Sequence, residues 1–294
     1  MSEPDQSFAE GLVVRLEANR PTVAFDSGER RLCHLMGRIR REAGRILVGD
    51  RVRVRATEPG EGVVIAVLPR GVTLTRPPLA NVTGVVAAIS IHDPAGSLDL
   101  LDRRLVLAED RGLAIVIAAT KGDRVGAPER TVLDTWARLY PLVWCAAPTG
   151  EGLDHLPDTL FPGIWVLTGE SGVGKSSLVR RLAPASEAVA APLARNARGR
   201  QTTRVVSLWE LPERPGVWLA DTPGFTRLTV PVDRSRLAHC FPEFRGASCR
   251  FSDCRHLGEP GCGVDRWAAE GEVDPRRLEH YRLLWEENVR APEA

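Results

Sequence analysis

The nine residues Gly169-Glu170-Ser171-Gly172-Val173-Gly174-Lys175-Ser176-Ser177, GESGVGKSS, satisfy the pattern G-x-x-x-x-G-K-[ST]. An apolar run, GIWVLT at 163–168, precedes them and a helical pattern, SSLVRRLA, follows. That context separates a phosphate-binding loop from a simple glycine-rich turn, which needs neither the strand, the lysine nor the serine. The glycines allow backbone N–H groups to face phosphate oxygens, Lys175 reaches the β/γ oxygens, and the Ser176 hydroxyl is placed for Mg²⁺.

Working outward, the run GVWLAD ends in Asp221-Thr222-Pro223-Gly224, DTPG. Asp221 can hold Mg²⁺ through water, and the Gly224 N–H can sense a γ-phosphate. A D-x-x-G tetrapeptide alone is weak, since many surface turns satisfy it; downstream of a phosphate loop it gains weight. The base-reading signal lies on the other side. Thr120-Lys121-Gly122-Asp123, TKGD, directly follows the apolar run GLAIVIAA. A carboxylate at Asp123 accepts from guanine N1–H and the exocyclic amine together, a donor pair adenine lacks, so GTP is favoured over ATP. Thr120 stands where asparagine is more usual, which weakens one tether to the base. The stretch CAAPTGEGLD from Cys145 offers backbone around Ala146 and Ala147 to complete the base pocket. In ordinary GTPases the base motif follows the phosphate loop, and here it precedes it. Strands that keep their usual spatial positions then require a circular permutation of the chain.

Composition agrees with a globular protein: 294 residues, 43% hydrophobic and 26% charged. The N-terminal MSEPDQSFAEG is acidic and lacks the apolar run of a secretion signal, and no segment approaches the ~20 continuous apolar residues of a membrane span, so a cytoplasmic location without membrane association is expected. Net charge is +1. Between Glu29 and Arg55, however, nine arginines face three acids. This cluster, with Arg38, Arg40, Arg41, Arg45, Arg51 and Arg53 at its centre, reads either as a solvated basic face or as an RNA-facing patch. Among 39 basic residues only Lys121 and Lys175 are lysines, and each lies inside a nucleotide motif. A compact ammonium on a flexible stem does there what guanidinium cannot imitate.

Residues 11–69 show short apolar runs divided by turn residues (GLVVRL, PTVAF, RRLCHL, DRVRVRA, GVVIAVL), which predict an OB-type β-barrel carrying the basic cluster on its middle strands. TRPP at 75–78 reads as a linker. GVVAAISI and GLAIVIAA then flank LDLLDRRLVLAEDR, the pattern of buried parallel strands joined by a helix. A second unit follows (helix ERTVLDTWARLY, strand PLVWC), and the phosphate-loop unit is the third. The segment 183–200, rich in Ala, Arg and Pro, predicts a mobile loop. Near the C-terminus Asp274-Pro275 starts a helix with an apolar packing stripe of Leu278, Tyr281 and Trp285. The domains predicted are an OB-type barrel at 1–75, an α/β P-loop GTPase domain, circularly permuted, at 76–230, and a mostly helical zinc-binding domain at 231–294.

The stretch CRFSDCRHLGEPGC places Cys249, Cys254, His256 and Cys262 close together. Three thiolates and an imidazole form a closed tetrahedral set suited to structural Zn²⁺, with no open position for a catalytic water. Disulfides are disfavoured in a cytosolic chain. Cys33, Cys145 and Cys240 read as buried thiols, and nothing marks His239 as a ligand.

Base loop, phosphate loop, DTPG, a barrel in front and C-x4-C-x-H-x5-C behind: this chain resembles the ribosome small subunit-dependent GTPase A family over residues 9–290. The resemblance implies a monomeric, GTP/GDP- and Mg²⁺-binding enzyme that acts on the small ribosomal subunit late in maturation, with hydrolysis stimulated by that subunit and with barrel and zinc domain touching rRNA. Because DTPG leads straight into the C-terminal domain, the chain order gives the further expectation that a change in the γ-phosphate contact moves the zinc module relative to the ribosome. Two departures stand out. The family's switch segment reads G-R-H-T-T-T and here reads Gly199-Arg200-Gln201-Thr202-Thr203-Arg204, so the histidine that assists the attacking water is Gln201; Phe225 follows DTPG where many GTPases carry glutamine. An amide can orient water but cannot exchange a proton as imidazole can, so slower turnover with retained binding is expected, with Lys175 and Gln201 as the catalytic pair. One of Thr202 and Thr203 completes the magnesium shell. Two other readings are a nucleotide-dependent RNA-binding scaffold with little hydrolysis, motivated by Thr120 and Gln201, and an ATP-using phosphotransferase, against which Asp123 argues.

Overall fold

The computed structural model describes residues 8–17, 20–37, 39, 45–75, 77–184, 206–221 and 232–290. Arg38, Arg40, Arg41, Gln201, Thr202, Thr203, Gly224, Phe225 and nearly all of 183–200 lie outside the described residues, as does the side chain of Asp221. The longer described helices are α1 (Leu98–Asp110), α2 (Lys175–Leu182), α3 (Gly263–Glu270) and α4 (Pro275–Arg290). The chain divides into two compact units. One comprises Met1–Thr83, Leu160–Leu167 and Lys175–Phe225; the other comprises Gly84–Thr159, Thr168–Gly174 and Thr226–Ala294.

The first unit opens with five strands, β1 (Phe8–Glu17), β2 (Arg20–Ala24), β3 (Arg30–Leu35), β4 (Arg51–Ala56) and β5 (Glu61–Val67). β1 is antiparallel to both β2 and β4, β2 to β3 and β4 to β5, while β3 runs parallel to β5, so the ring closes on itself as a barrel. Alternation in RVRVRA sets its inside and outside. Val52 and Val54 join Val13, Val23, Cys33, Ile46 and Val64 in the core, and Arg51 and Arg53 point outward. The 75–78 stretch, expected as a linker, lies in a hairpin of β6 (Leu74–Thr75) and β7 (Pro78–Leu79), whose two leucines are both buried.

Beyond the barrel, β11 (Gly163–Thr168) runs parallel to β13 (Arg214–Asp221). β12 (Ser207–Leu211) pairs antiparallel with β13 and, through Arg15↔Ser207, with β1. This strand was not expected from the sequence. Just before the Pro212-Glu213 turn, SLWEL buries Leu208 and Leu211 without a regular alternation, and the Glu210 carboxylate accepts from the Gly216 N–H at 2.9 Å to close the hairpin.

In the second unit β8 (Val82–Ile89), β9 (Ala114–Thr120) and β10 (Leu142–Cys145) are parallel neighbours, with α1 crossing from β8 to β9. The expected helix ERTVLDTWARLY is broken into Ala127–Arg130, a 3₁₀ turn at Thr131–Leu133 and Asp134–Leu139. Thr131 Oγ1 donates back to the Pro128 carbonyl at 2.7 Å, a local bond that competes with the helical ladder. The C-terminal residues pack Val232, Leu237, Phe241, Phe244, Leu278, Tyr281 and Leu284 around Val106 and Leu107 of α1, so this core is shared with a helix of the α/β layer. Pro275 opens α4, and the Asp274 carboxylate accepts from the Arg276 N–H at 2.8 Å.

α1 is gripped along its length. Asp102, fully buried, accepts from the Trp136 indole, the Arg277 guanidinium and the His280 imidazole. Arg277 also forks onto Glu243, at 2.6 and 3.1 Å. At the end of α1, Glu109 and Asp110 pair with Arg245 and Arg236 at 3.0 and 3.2 Å.

Candidate nucleotide site and metal centre

Strand register puts the motifs at carboxyl ends of parallel strands, where open α/β sheets bind ligands. Thr120, the first residue of TKGD, is level with Cys145, the first residue of CAAPTGEGLD. In the other unit Leu167, just before the phosphate loop, is level with Asp221, the first residue of DTPG.

Gly169 leaves β11 with its α-carbon so close to the Ala88 carbonyl that a Cβ there would meet the oxygen at 2.5 Å. Gly174 sits at φ +101°, a backbone conformation that side chains disfavour, and turns the loop into α2, which starts at Lys175. Ser171, Gly172 and Ser176 are exposed while Val173 is buried, so the loop is pinned by one apolar side chain and presents its backbone outward. Glu170 accepts from the Ser97 N–H at 2.6 Å and so ties the loop to the start of α1. Arg180 Nε returns to the Ser176 carbonyl at 3.1 Å, and Ser177 is half-buried.

Thr120 is 3% exposed, and its hydroxyl lies within hydrogen-bonding reach of two carbonyls, Ile89 at 3.0 Å and Val173 of the phosphate loop. The residue in asparagine's place therefore fastens the TKGD loop to the GESGVGKSS loop. Lys121 adopts φ +58°, and its ammonium donates to the Asp93 carbonyl at 2.7 Å. Gly122 is buried, and Asp123 is exposed, without a hydrogen bond or ion pair among the described residues. In the facing loop the Ala146 N–H donates to the Glu151 carbonyl at 2.9 Å and its own carbonyl accepts from Gly150 at 2.8 Å, so the Ala146 backbone shapes the loop itself; Ala147 follows, half-buried. Burial pushes the Cys145 thiol up to about 12, with the Glu151 charge adding, which makes it an inert packing group.

Cys249, Cys254, His256 and Cys262 bring their ligand atoms within 4.8 Å of one another. His256 Nδ1 lies 3.7, 3.7 and 3.4 Å from the three sulfurs. A tetrahedron with Zn–S of about 2.3 Å and Zn–N of about 2.0 Å has edges of roughly 3.5–3.8 Å, so the donor set fits a zinc ion. One ring nitrogen cannot hydrogen-bond to three sulfurs at once; a shared cation satisfies all four groups. His256 takes φ +59° to aim its nitrogen inward, and the Gly263 and Asp265 N–H groups donate to the Cys249 and Cys262 sulfurs at 3.2 and 3.5 Å. Burial pushes the Cys254 thiol up to about 12 and lowers the His256 imidazole, so without a cation the cluster is a set of crowded neutral groups. α4 holds the knuckle through Tyr281 Oη to the Arg255 carbonyl at 2.7 Å and Arg282 Nε to the His256 carbonyl at 3.2 Å. The described cysteines outside this cluster, Cys33, Cys145 and Cys240, are free and buried.

Of the arginines expected on the barrel, Arg45, Arg51 and Arg53 are exposed; Arg53 pairs with Glu10 at 2.9 Å and lies over the Phe8 ring. Sequence reading missed Arg130, Glu170 as an anchor of α1, and Asp102. No local pattern marks the first or the last of these, since each acts through residues distant in the chain.

Parallel strands ending in a G-x-x-x-x-G-K-S loop and in a TKGD loop, with the second encoded first, have the layout of a circularly permuted P-loop GTPase. The family profile of the RsgA GTPase matches residues 67–231. The chain is 39% identical over 285 residues to the small ribosomal subunit biogenesis GTPase RsgA of Carboxydothermus hydrogenoformans, covering 95% of this chain and 97% of that protein. Among solved structures, YjeQ from Thermotoga maritima superposes with a TM-score of 0.83 at 34% identity over 97% of this chain and 100% of that one. YloQ, described as a circularly permuted GTPase, gives 0.80 at 28% identity with 100% of both chains covered. The chain belongs to the RsgA GTPase family.

Proposed function

We propose that this GTPase serves maturation of the small ribosomal subunit, binding that subunit and its rRNA as a cytoplasmic monomer. The observation that carries the site reading is the Thr120 hydroxyl on the Val173 carbonyl beside a carboxylate, Asp123, left open on the same loop. That bond joins the base-reading and phosphate-binding motifs although the chain presents them in permuted order. Asp123 reads guanine, with Thr120, Lys121, Gly122, Ala146 and Ala147 shaping the pocket. Residues 169–177 with Gly224 bind the phosphates, and Lys175 neutralises the β/γ oxygens. Ser176 and Asp221, with Thr202 or Thr203, supply the hard oxygen ligands that suit Mg²⁺, which when bound spreads the charge developing on the phosphates. Gln201 orients the attacking water. Cys249, Cys254, His256 and Cys262 hold one structural Zn²⁺. In chain order the barrel at 1–75 precedes the GTPase domain at 76–230 and the zinc domain at 231–294 follows it, and Arg38, Arg40, Arg41, Arg45, Arg51 and Arg53 offer the barrel's rRNA-facing charge.

No described helix is long and apolar enough to cross a bilayer. The test is GTP and ATP hydrolysis by the purified chain, with and without small subunits, at two salt concentrations. GTP-specific stimulation is expected, and a Gln201→Ala protein should turn over more slowly with its GTP affinity kept; an equal rate would remove that role. Gln201 in place of histidine also motivates a second reading, a nucleotide-dependent rRNA-binding scaffold, which tight GTP binding without stimulated turnover would favour.

A further inference from the structure

Arg130 lies outside every nucleotide motif, yet its guanidinium bridges the two loops assigned to the base. Nη2 donates to the Gly122 carbonyl at 3.0 Å and to Glu151 Oε1 at 2.9 Å. The same group lies 4.8 Å from the centre of the Trp144 ring. Gly122 immediately precedes Asp123, and its carbonyl belongs to the peptide plane that carries the Asp123 nitrogen, so holding that oxygen holds the backbone from which the Asp123 side chain departs. Glu151 accepts the Ala146 N–H through its backbone carbonyl, and so belongs to the loop that faces the base from the other side. The mount is itself braced: the Arg130 N–H donates to the Gly126 carbonyl at 3.2 Å, and Glu129 accepts from the Gly126 N–H at 2.5 Å.

We infer that Arg130 is a positioning residue for guanine selection, a strut that holds the Asp123 loop and the Ala146–Ala147 loop at a spacing that matches the base. This rests on the nucleotide-site reading above. A single Nη2 makes both hydrogen bonds, which an ammonium could imitate; what a lysine cannot supply is the delocalised guanidinium held against the Trp144 ring while that nitrogen does so. Energetics separate this role from a merely structural one. The Arg130 and Glu151 side chains are 32% and 43% exposed, and an ion pair so open to water adds little to global stability. Its value is geometric, so its loss should appear in base discrimination before it appears in folding.

The experiment titrates GDP, IDP and ADP into the full-length parent, Arg130→Ala, Arg130→Lys and Glu151→Ala. IDP keeps N1–H and lacks the exocyclic amine, so the GDP:IDP affinity ratio reports how well Asp123 engages both donors. The parent should prefer GDP over both. Arg130→Ala should narrow the GDP:IDP ratio by about tenfold, the scale of one hydrogen bond to a charged group, with the melting temperature nearly unchanged. Arg130→Lys should recover only part of the ratio. Glu151→Ala should narrow it too, and the double variant with Arg130→Ala should add little further, because both act through one strut. A parent-like GDP:IDP ratio in Arg130→Ala would overturn the inference while leaving the site reading intact. A parent without preference for GDP over ADP would overturn the site reading itself, and this inference with it.

Discussion

Replacing Thr120 by valine deletes one hydroxyl and keeps the side-chain shape, the β-branch and the strand preference, so no cavity opens and no rotamer changes. Thr120 is 3% exposed, and its hydroxyl is the donor within reach of the Val173 and Ile89 carbonyls. A neutral intramolecular hydrogen bond is worth about 0.5–1.5 kcal/mol net, and a carbonyl left buried without its donor costs about 1–3 kcal/mol. Only one proton is lost, and the two carbonyls share it, so the penalty is about 1–2 kcal/mol rather than twice that. On the site proposed above, Val173 belongs to the stretch that meets phosphates common to GTP and GDP. If the penalty falls on the position of that loop, both affinities drop together by roughly 5–30-fold. Titration with a fluorescent GDP analogue reads the affinity, and urea denaturation reads the stability. Thr120→Ser, which keeps the hydroxyl, should bind within a few-fold of the parent. A valine variant that binds GDP like the parent would show that the phosphate loop holds its place without Thr120 and would remove the bond that joins the two motifs.

Asp102→Ala should cost about 3 kcal/mol, at the low end for breaking a buried pair, because Arg277 keeps its fork on Glu243; a loss below about 1 kcal/mol in denaturant unfolding would mean Glu243 alone satisfies that charge. Metal analysis of the purified chain should find zinc, and Cys254→Ser should lose it; a melting temperature indifferent to a strong chelator would argue against a cation stabilising the shared core around Phe244 and Tyr281. Arg276 beside Asp274, aided by the Thr135 hydroxyl against the opposing effect of burial, holds the Asp274 carboxyl well below the usual carboxylate range. A folded value depressed in this way contributes stability at neutral pH that is lost as pH falls through the unfolded value of about 4 toward the folded one. The gap between parent and Asp274→Asn in urea midpoint should therefore be widest above pH ~5 and shrink below pH ~4; a gap constant down to pH ~3 would refute that assignment.

Permuted motif order, the two lysines, the valine–arginine alternation of β4 and the Cys249, Cys254, His256 and Cys262 cluster are all legible in the sequence because each is a pattern of neighbouring residues. A phosphate loop needs its glycines and lysine at fixed offsets, and an alternating strand needs every second residue apolar, so both survive in one dimension. β12 and the β6–β7 hairpin escaped because short strands are stabilised by partners rather than by their own composition. Arg130, Glu170 and Asp102 escaped for a stronger form of the same reason. Arg130 reaches Glu151, Glu170 reaches Ser97 and Asp102 reaches Arg277, and no offset along the chain foretells any of these pairings. The sequence by itself determined which groups could bind phosphate, read guanine and hold a metal. Tertiary structure alone decided what holds those groups in place, because a hydrogen bond or a buried charge pair depends on distance in space and on exclusion of water, and both are settled only when strands and helices distant in sequence pack together.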